Sequence, residues 1–326
     1  MSAITRLSKQ ILSHLKPYLR WVILGGTVFF IAIAIHQNWQ EVAAIRITAA
    51  GYLNLAIALL VTLFAHIWSG WVWSWILREL NQPAPGLWSI RVYLTTNLAK
   101  YLPGNVWHFY GRVVAAKNAG FSVGAVTLSV LLEPLLMAAA ALAIALTTGI
   151  RTSGLIQLLC LSAVLIAIHP RFLNPLLRLA SRLKGKSQEE AVELEQPVPI
   201  QQPVPIQQTI QIQQTIQIRR YPLLPLLGEA GFVALRGLGF LLTLSALSPI
   251  ALTQIPMIFS AFSFAWVLGL VVPGAPGGIG VFESTAIALL NSHIPTGTII
   301  GGVALYRMIS IFAEVSGAGL AGVKTR

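Results

Sequence analysis

Apolar windows of about 20 residues recur along this chain, each long enough to cross roughly 30 Å of hydrocarbon as a helix. They are continuous, whereas membrane strands alternate lipid-facing and lumen-facing residues, so a β-barrel is the poorer reading. Hydrophobic residues fill 56% of the 326 positions and charged residues only 10%, a balance a water-soluble globule could not carry on its exterior. The fold class expected is an all-α polytopic membrane protein.

A net charge of +12 raises nucleic acid as a partner, but the placement of the charges decides otherwise. The basic residues sit between spans, where each is worth about 1 kcal/mol of attraction to anionic headgroups. Crossings are predicted at about 19–36, 52–77, 122–148, 153–169, 222–248 and 298–321. With a cytoplasmic N-terminus, 18 of the 22 Lys and Arg residues then lie on the cytoplasmic side. Arg46 and Arg151 fall outside, and Arg236 and Arg307 lie within spans. A multi-pass cell-membrane protein with both termini in the cytoplasm is expected. Arg6, Lys9, Lys16 and Arg20 precede the apolar stretch 21–35 as in a signal peptide, yet more spans follow, and an uncleaved first span is the better reading.

Two segments are unlike plain spans. Residues 88–118 carry Arg91, Asn97, Lys100 and Arg112, too polar for a helix facing lipid. Residues 255–291 are apolar but broken by the run from Pro273 to Gly280 (PGAPGGIG), and proline and glycine at that density end a helix. Both are expected to be re-entrant hairpins entering from opposite faces, so that each half reads span, hairpin, span with reversed polarity. That is the inverted-repeat plan of secondary transporters, in which broken backbone at membrane depth lines a cavity. Eight plain spans with a proline kink are the alternative. The organisation predicted is an N-terminal half, 1–169, a cytoplasmic low-complexity linker, 170–220, and a C-terminal half, 221–326. The linker turns from basic to acidic and then into glutamine-rich tandem repeats (QPVPIQ, QTIQIQ) that cannot bury a core, which makes it a spacer. Trp68, Trp71, Trp73 and Trp75 cluster near the cytoplasmic end of the second span and read as an interfacial aromatic belt.

All ten acidic residues are glutamates, and four of them fall at membrane depth: Glu133, Glu229, Glu283 and Glu314. An ionised group at the bilayer centre costs at least about 3 kcal/mol, so each must face inward and find a partner or water. Glu229 and Arg236 share one helix face at a spacing of seven, as do Arg307 and Glu314 in reverse order. Cross-helix pairing between these two spans would satisfy all four, making Glu229 and Arg236 candidates for structural ion pairs. The two breaks correspond: Pro103-Gly104-Asn105 leads to Arg112, and Pro273-Gly274 with Gly277-Gly278 leads to Glu283. Arg112 and Arg307 suit a phosphate, Glu133 and Glu283 suit charge balance or a headgroup amine, and Glu314 is a further lipid-binding candidate. Arg112 could equally anchor a helix end at the interface.

Catalytic constellations are missing from the sequence. No nucleophile elbow or Walker loop occurs, and without any Asp Mg-dependent phosphoryl chemistry of the usual kind is not expected. Cys160 stands alone, and the six histidines show no ligand spacing, so neither metal nor other cofactor is expected.

The stretch 97–112 (NLAKYLPGNVWHFYGR), the stretch 273–283 (PGAPGGIGVFE) and Tyr306-Arg307 resemble the transmembrane region of lysylphosphatidylglycerol synthases and its stand-alone, flippase-like relatives. The resemblance covers nearly the whole chain except the glutamine-rich linker. It implies a lipid-handling domain that moves an aminoacylated phospholipid, or a related anionic or polyprenyl-linked lipid, between leaflets. In bifunctional members a separate soluble domain performs aminoacyl transfer; here the chain ends at Arg326, so no transferase and no enzyme activity are expected. Two departures stand out. Many relatives carry an acidic residue and an arginine soon after the first Pro-Gly, where this chain has Val106 to Tyr110 and keeps Arg112. Relatives also often follow the span-three glutamate with arginine, and here Pro134 follows Glu133. The partners expected are anionic membrane lipids, a second copy of the chain and a separate lipid-modifying enzyme, with no nucleic acid. The rival functions are an ion-coupled solute transporter and a non-transporting membrane scaffold.

Overall fold

The computed structural model describes residues 40, 46–101, 106–148, 218, 220–271 and 280–322, with scattered positions between 155 and 175. The expected first span, most of the fourth, nearly all of the linker and both hairpin tips lie outside the described residues. Among those tip residues are Pro103, Gly104, Asn105, Pro273, Gly274, Gly277 and Gly278.

Every regular element among the described residues is helical. Helix α1, Ala49–Glu79, starts where the Thr48 hydroxyl accepts the Gly51 N–H at 3.1 Å, a side-chain cap for an otherwise unbonded donor. It stops where Asn81 turns left-handed, with a φ of 58°, and Pro83 and Pro85 forbid continuation. Helix α2, Gly86–Asn97, runs into a 3-10 turn, Leu98–Tyr101, and α3, Trp107–Asn118, follows. Then come α4, Val123–Thr148, with Pro134 inside it, and α5, Leu223–Leu247. A second 3-10 turn, Leu252–Gln254, leads into α6, Ile255–Val271, before α7, Val281–Leu290, and α8, Thr296–Gly322.

Five stretches are long and apolar enough to cross a membrane: α1, α4, α5, α8 and Leu252–Leu270, which is α6 with the turn before it. The first arm of the second broken segment is therefore itself of membrane length, at 19 residues or about 28 Å. The other arms are short. Helices α2 and α3 have 12 residues each and α7 has 10, about 18 and 15 Å of rise.

Side-chain bonds show how the broken segments run. Gln82, just after α1, accepts the N–H of Ser122, just before α4, at 3.0 Å. The chain between them thus leaves and returns at one end of the bundle, and its 3-10 turn reaches His66, near the middle of α1, through Glu314. At the opposite end, Gln254 donates to the carbonyl of His293 at 3.2 Å, so α6 leaves and α7 returns beside the start of α8. The start of α1 marks the same end as the finish of α5, since Asn54 donates to Ser245 at 3.2 Å. The flanks of the two broken segments thus lie at opposite ends of the long helices.

Helices α1 and α5 make the most extensive contact in the molecule, and α2 packs on both α1 and α8. The two halves of the sequence consequently interleave around one core. Its centre is aromatic: Phe240, Phe262, Phe282 and Tyr306 meet with ring centroids 5.5–5.9 Å apart, mostly edge to face, the arrangement that ring quadrupoles favour. The tryptophan cluster divides. Trp71 is exposed, as in a belt, but Trp73 is fully buried and donates to Ser129 at 3.0 Å. Trp68 donates to the Gly228 carbonyl at 2.8 Å. Alternate indoles on a helix cannot share one face, and the inward ones find partners for their N–H groups.

Candidate functional site: a buried charge network

Three of the four glutamates, Glu133, Glu283 and Glu314, and the basic residues around them fall into three groups, and Glu229 stands outside them among the described residues. In the first, Arg112 of α3 donates to Glu133 of α4, and both are buried to within 3%. The guanidinium lies 3.9 Å from the Tyr93 ring centroid and 5.7 Å from that of Trp73. Tyr93 is in turn held by the Ser69 hydroxyl at 2.8 Å. Planar guanidinium on aromatic faces is favourable when desolvated, so Arg112 is enclosed by α1, α2 and α4. It is an internal ion pair in this conformation, neither an exposed phosphate clamp nor an interfacial anchor.

The second group sits at the tip of the second hairpin. Gly280 adopts a φ of 88° as the N-cap of α7, a conformation costly for any residue with a Cβ. Glu283 folds back so that its Oε2 accepts the Gly280 N–H at 2.6 Å, the return half of a capping box. Its other oxygen accepts from Nε of Arg307 on α8. One carboxylate therefore closes the broken helix and ties it to a neighbour. Arg307 stays 30% exposed at its side chain, so this pair has an open side.

The third group joins the first hairpin to α1, α5 and α8. Lys100 Nζ lies 2.5 Å from Oε1 of Glu314, and the side-chain exposures are 23% and 1%. His66 Nε2 lies 3.3 Å from the same oxygen and 3.3 Å from Nη1 of Arg236. A single proton on that nitrogen decides the bond: bare, it accepts from Arg236; protonated, it donates to Glu314. Arg236 is 5% exposed, with its guanidinium 5.2 Å from the Trp266 ring centroid and 5.0 Å from that of Tyr306. The Tyr306 hydroxyl donates to the Arg236 carbonyl at 2.9 Å.

The pairing differs from the one the spacing of seven implied. Arg307 bonds Glu283, Glu314 bonds Lys100, and Arg236 meets His66 with no carboxylate beside it among the described residues. Glu229 is fully buried with neither oxygen hydrogen-bonded among the described residues. The physical reason is that the hairpins supply partners closer than the facing long helices do. Lys100 and His66 are the residues that sequence reading did not assign to the site. The signal for Lys100 was visible as one more charge in a segment too polar for lipid; a single histidine in an apolar span gives none.

An apolar cavity of about 550 Å³ lies apart from these groups, between Leu165, Phe172 and the start of α5 at Tyr221 to Leu226. Among the described residues no three His, Cys, Asp or Glu side chains gather as a metal site. No family model and no curated protein matches the chain.

Proposed function

We propose that this chain is a lipid-handling membrane protein that passes a phospholipid or polyprenyl-linked lipid between leaflets in the manner of a flippase. The observation that carries the reading is that each broken segment is tied to α8 by an ion pair in the inner part of that helix: Lys100 with Glu314, and Glu283 with Arg307. Both basic partners keep an open side. A lipid crossing the bilayer needs a polar path for its headgroup and none for its tails. Partly exposed ion pairs in the inner part of a long helix suit that task, because a headgroup can exchange with either partner. In this reading the hairpins are re-entrant, and six helices span a plasma membrane with both chain ends in the cytoplasm. Arg307 takes the phosphate, with Glu283 and Glu314 balancing it. Arg112 and Glu133 hold the first hairpin in place.

The test is transfer of a labelled phospholipid between leaflets of proteoliposomes. Glu283→Gln and Arg307→Gln should each lower the rate by about tenfold or more, the loss of one charge-assisted bond of about 1.5–3 kcal/mol. Unchanged transfer in both folded variants would remove the basis for this assignment. If a water-soluble solute raised the melting temperature and phospholipids did not, an ion-coupled solute transporter would be the better description.

A further inference from the structure

We propose that Arg236 anchors a phosphate-binding subsite at the inner end of the polar path, a role separate from the Arg307–Glu283 pair. The inference rests on the lipid-handling reading and adds the group that the headgroup phosphate meets. Arg236 sits in the middle of α5 and is nineteen-twentieths covered, yet no carboxylate lies within ion-pairing distance of it among the described residues. Among the described residues its Nε has no hydrogen-bond partner. The acceptor they offer its side chain is His66 Nε2, which Glu314 contests at the same distance. When that nitrogen carries a proton, the described residues leave Arg236 without an acceptor.

The missing counter-ion is not hidden in the hairpin tips, because residues 102–105 (LPGN) and 272–279 (VPGAPGGI) contain no acidic residue. Among the described residues, the three cations Lys100, Arg236 and Arg307 are set against the two carboxylates of Glu283 and Glu314. A buried guanidinium left uncompensated is strongly unfavourable, and stacking on Trp266 and Tyr306 offsets only part of that. The two rings instead fix the plane of the fork while its Nε keeps no acceptor among the described residues, which is preorganisation for an acceptor that presents two oxygens. Lys100 and Arg307, both partly exposed, are the cations nearest the open side, and a negative ligand would be drawn past them. The ligand class is a phosphate mono- or diester, borne by a lipid headgroup or free.

The full chain, purified in detergent, is tested by native mass spectrometry against an equimolar mixture of phosphatidylglycerol and phosphate-free diacylglycerol, and by melting in inorganic phosphate against chloride at equal ionic strength. The expected result is at least tenfold preference for phosphatidylglycerol, lost in Arg236→Gln, weakened in Arg236→Lys, and kept in Arg78→Gln. Arg236→Lys keeps the charge and removes the fork, so it decides the matter if the glutamine variant does not fold. Stabilisation by inorganic phosphate as well would assign the site to free phosphate as much as to lipid. Equal retention of phosphatidylglycerol by wild type and both Arg236 variants, or no phosphate preference in wild type, overturns the inference. Leaflet transfer measured alongside separates the two readings: transfer with Arg236-independent binding defeats the subsite alone. Arg236-dependent binding without transfer defeats the flippase reading alone.

Discussion

At the residue scale, the contrast between Glu133 and Glu229 separates charges that hold the fold from charges that do not. Glu133→Gln leaves Arg112 buried among α1, α2 and α4 with its carboxylate gone, and breaking such a pair costs about 3–5 kcal/mol. Glu229→Gln removes no hydrogen bond and no ion pair among the described residues, so its melting temperature should match wild type, while that of Glu133→Gln falls by many degrees. Thermal unfolding of the two variants in one detergent checks this; equal destabilisation would show that Glu229 has a partner in solution. That charges lie inside was legible in the sequence, because a glutamate within an apolar run has no other place to go. Which charges meet was not. Partner choice depends on helix rotation and on where the hairpin tips stop, and neither leaves a trace in spacing along one helix. Arg236 shows this well: a spacing of seven put it on a face with Glu229, yet its contacts are a histidine on α1 and two aromatic rings.

At the scale of elements, two breaks were legible because Pro and Gly cannot continue a helix, and the polar character of 88–118 marked the first as unfit for lipid. The length of α6 was not legible: the 3-10 turn at Leu252–Gln254 runs straight into it, extending an arm that the break alone made look short. The hydrogen bonds Gln82–Ser122 and Gln254–His293 carry a direct expectation. Against a Cys160→Ser background, cysteines at Gln82 and Ser122 should both react with an impermeant thiol reagent from one side of sealed vesicles. Cysteines at Gln254 and His293 should react from the other. Labelling of Gln82 and Ser122 from opposite sides would turn the first hairpin into a crossing. Packing of that hairpin depends on Gly70: a Cβ there would stand 2.8 Å from the Ile90 backbone and 3.0 Å from Tyr93. Close backbone approach through small residues is how helices associate without a hydrophobic drive between them. Gly70→Leu should displace α2 and with it the Tyr93 ring beneath Arg112, lowering the melting temperature and slowing lipid transfer together.

At the scale of the whole molecule, the described helices interleave, with α2 from the first half packed on α8 from the second, so the halves cannot work as independent modules. The long linker is what lets them be far apart in sequence and adjacent in space. Its two ends are joined: the Asn174 amide donates to the Ile218 carbonyl at 3.0 Å and accepts the Ile218 N–H at 3.0 Å, as one strand residue would pair with another. Tyr221 adds a bond to the Leu165 carbonyl at 3.1 Å. With exit and entry fixed beside each other, the intervening chain sets no distance in the bundle, and its length enters only through the logarithm of loop closure. Deleting residues 187–216, which spares both Asn174 and Ile218, should therefore change stability by about 1 kcal/mol or less. Leaflet transfer in proteoliposomes should stay within about twofold of wild type, a change of under about 0.5 kcal/mol in the barrier. A scaffold whose acidic and glutamine-rich segment recruits partners behaves oppositely: the deletion removes its working surface and leaves the helices intact. Loss of transfer on deletion, with the melting temperature held, would mean that the segment acts on the hairpins and that the bundle alone is not the transporting unit.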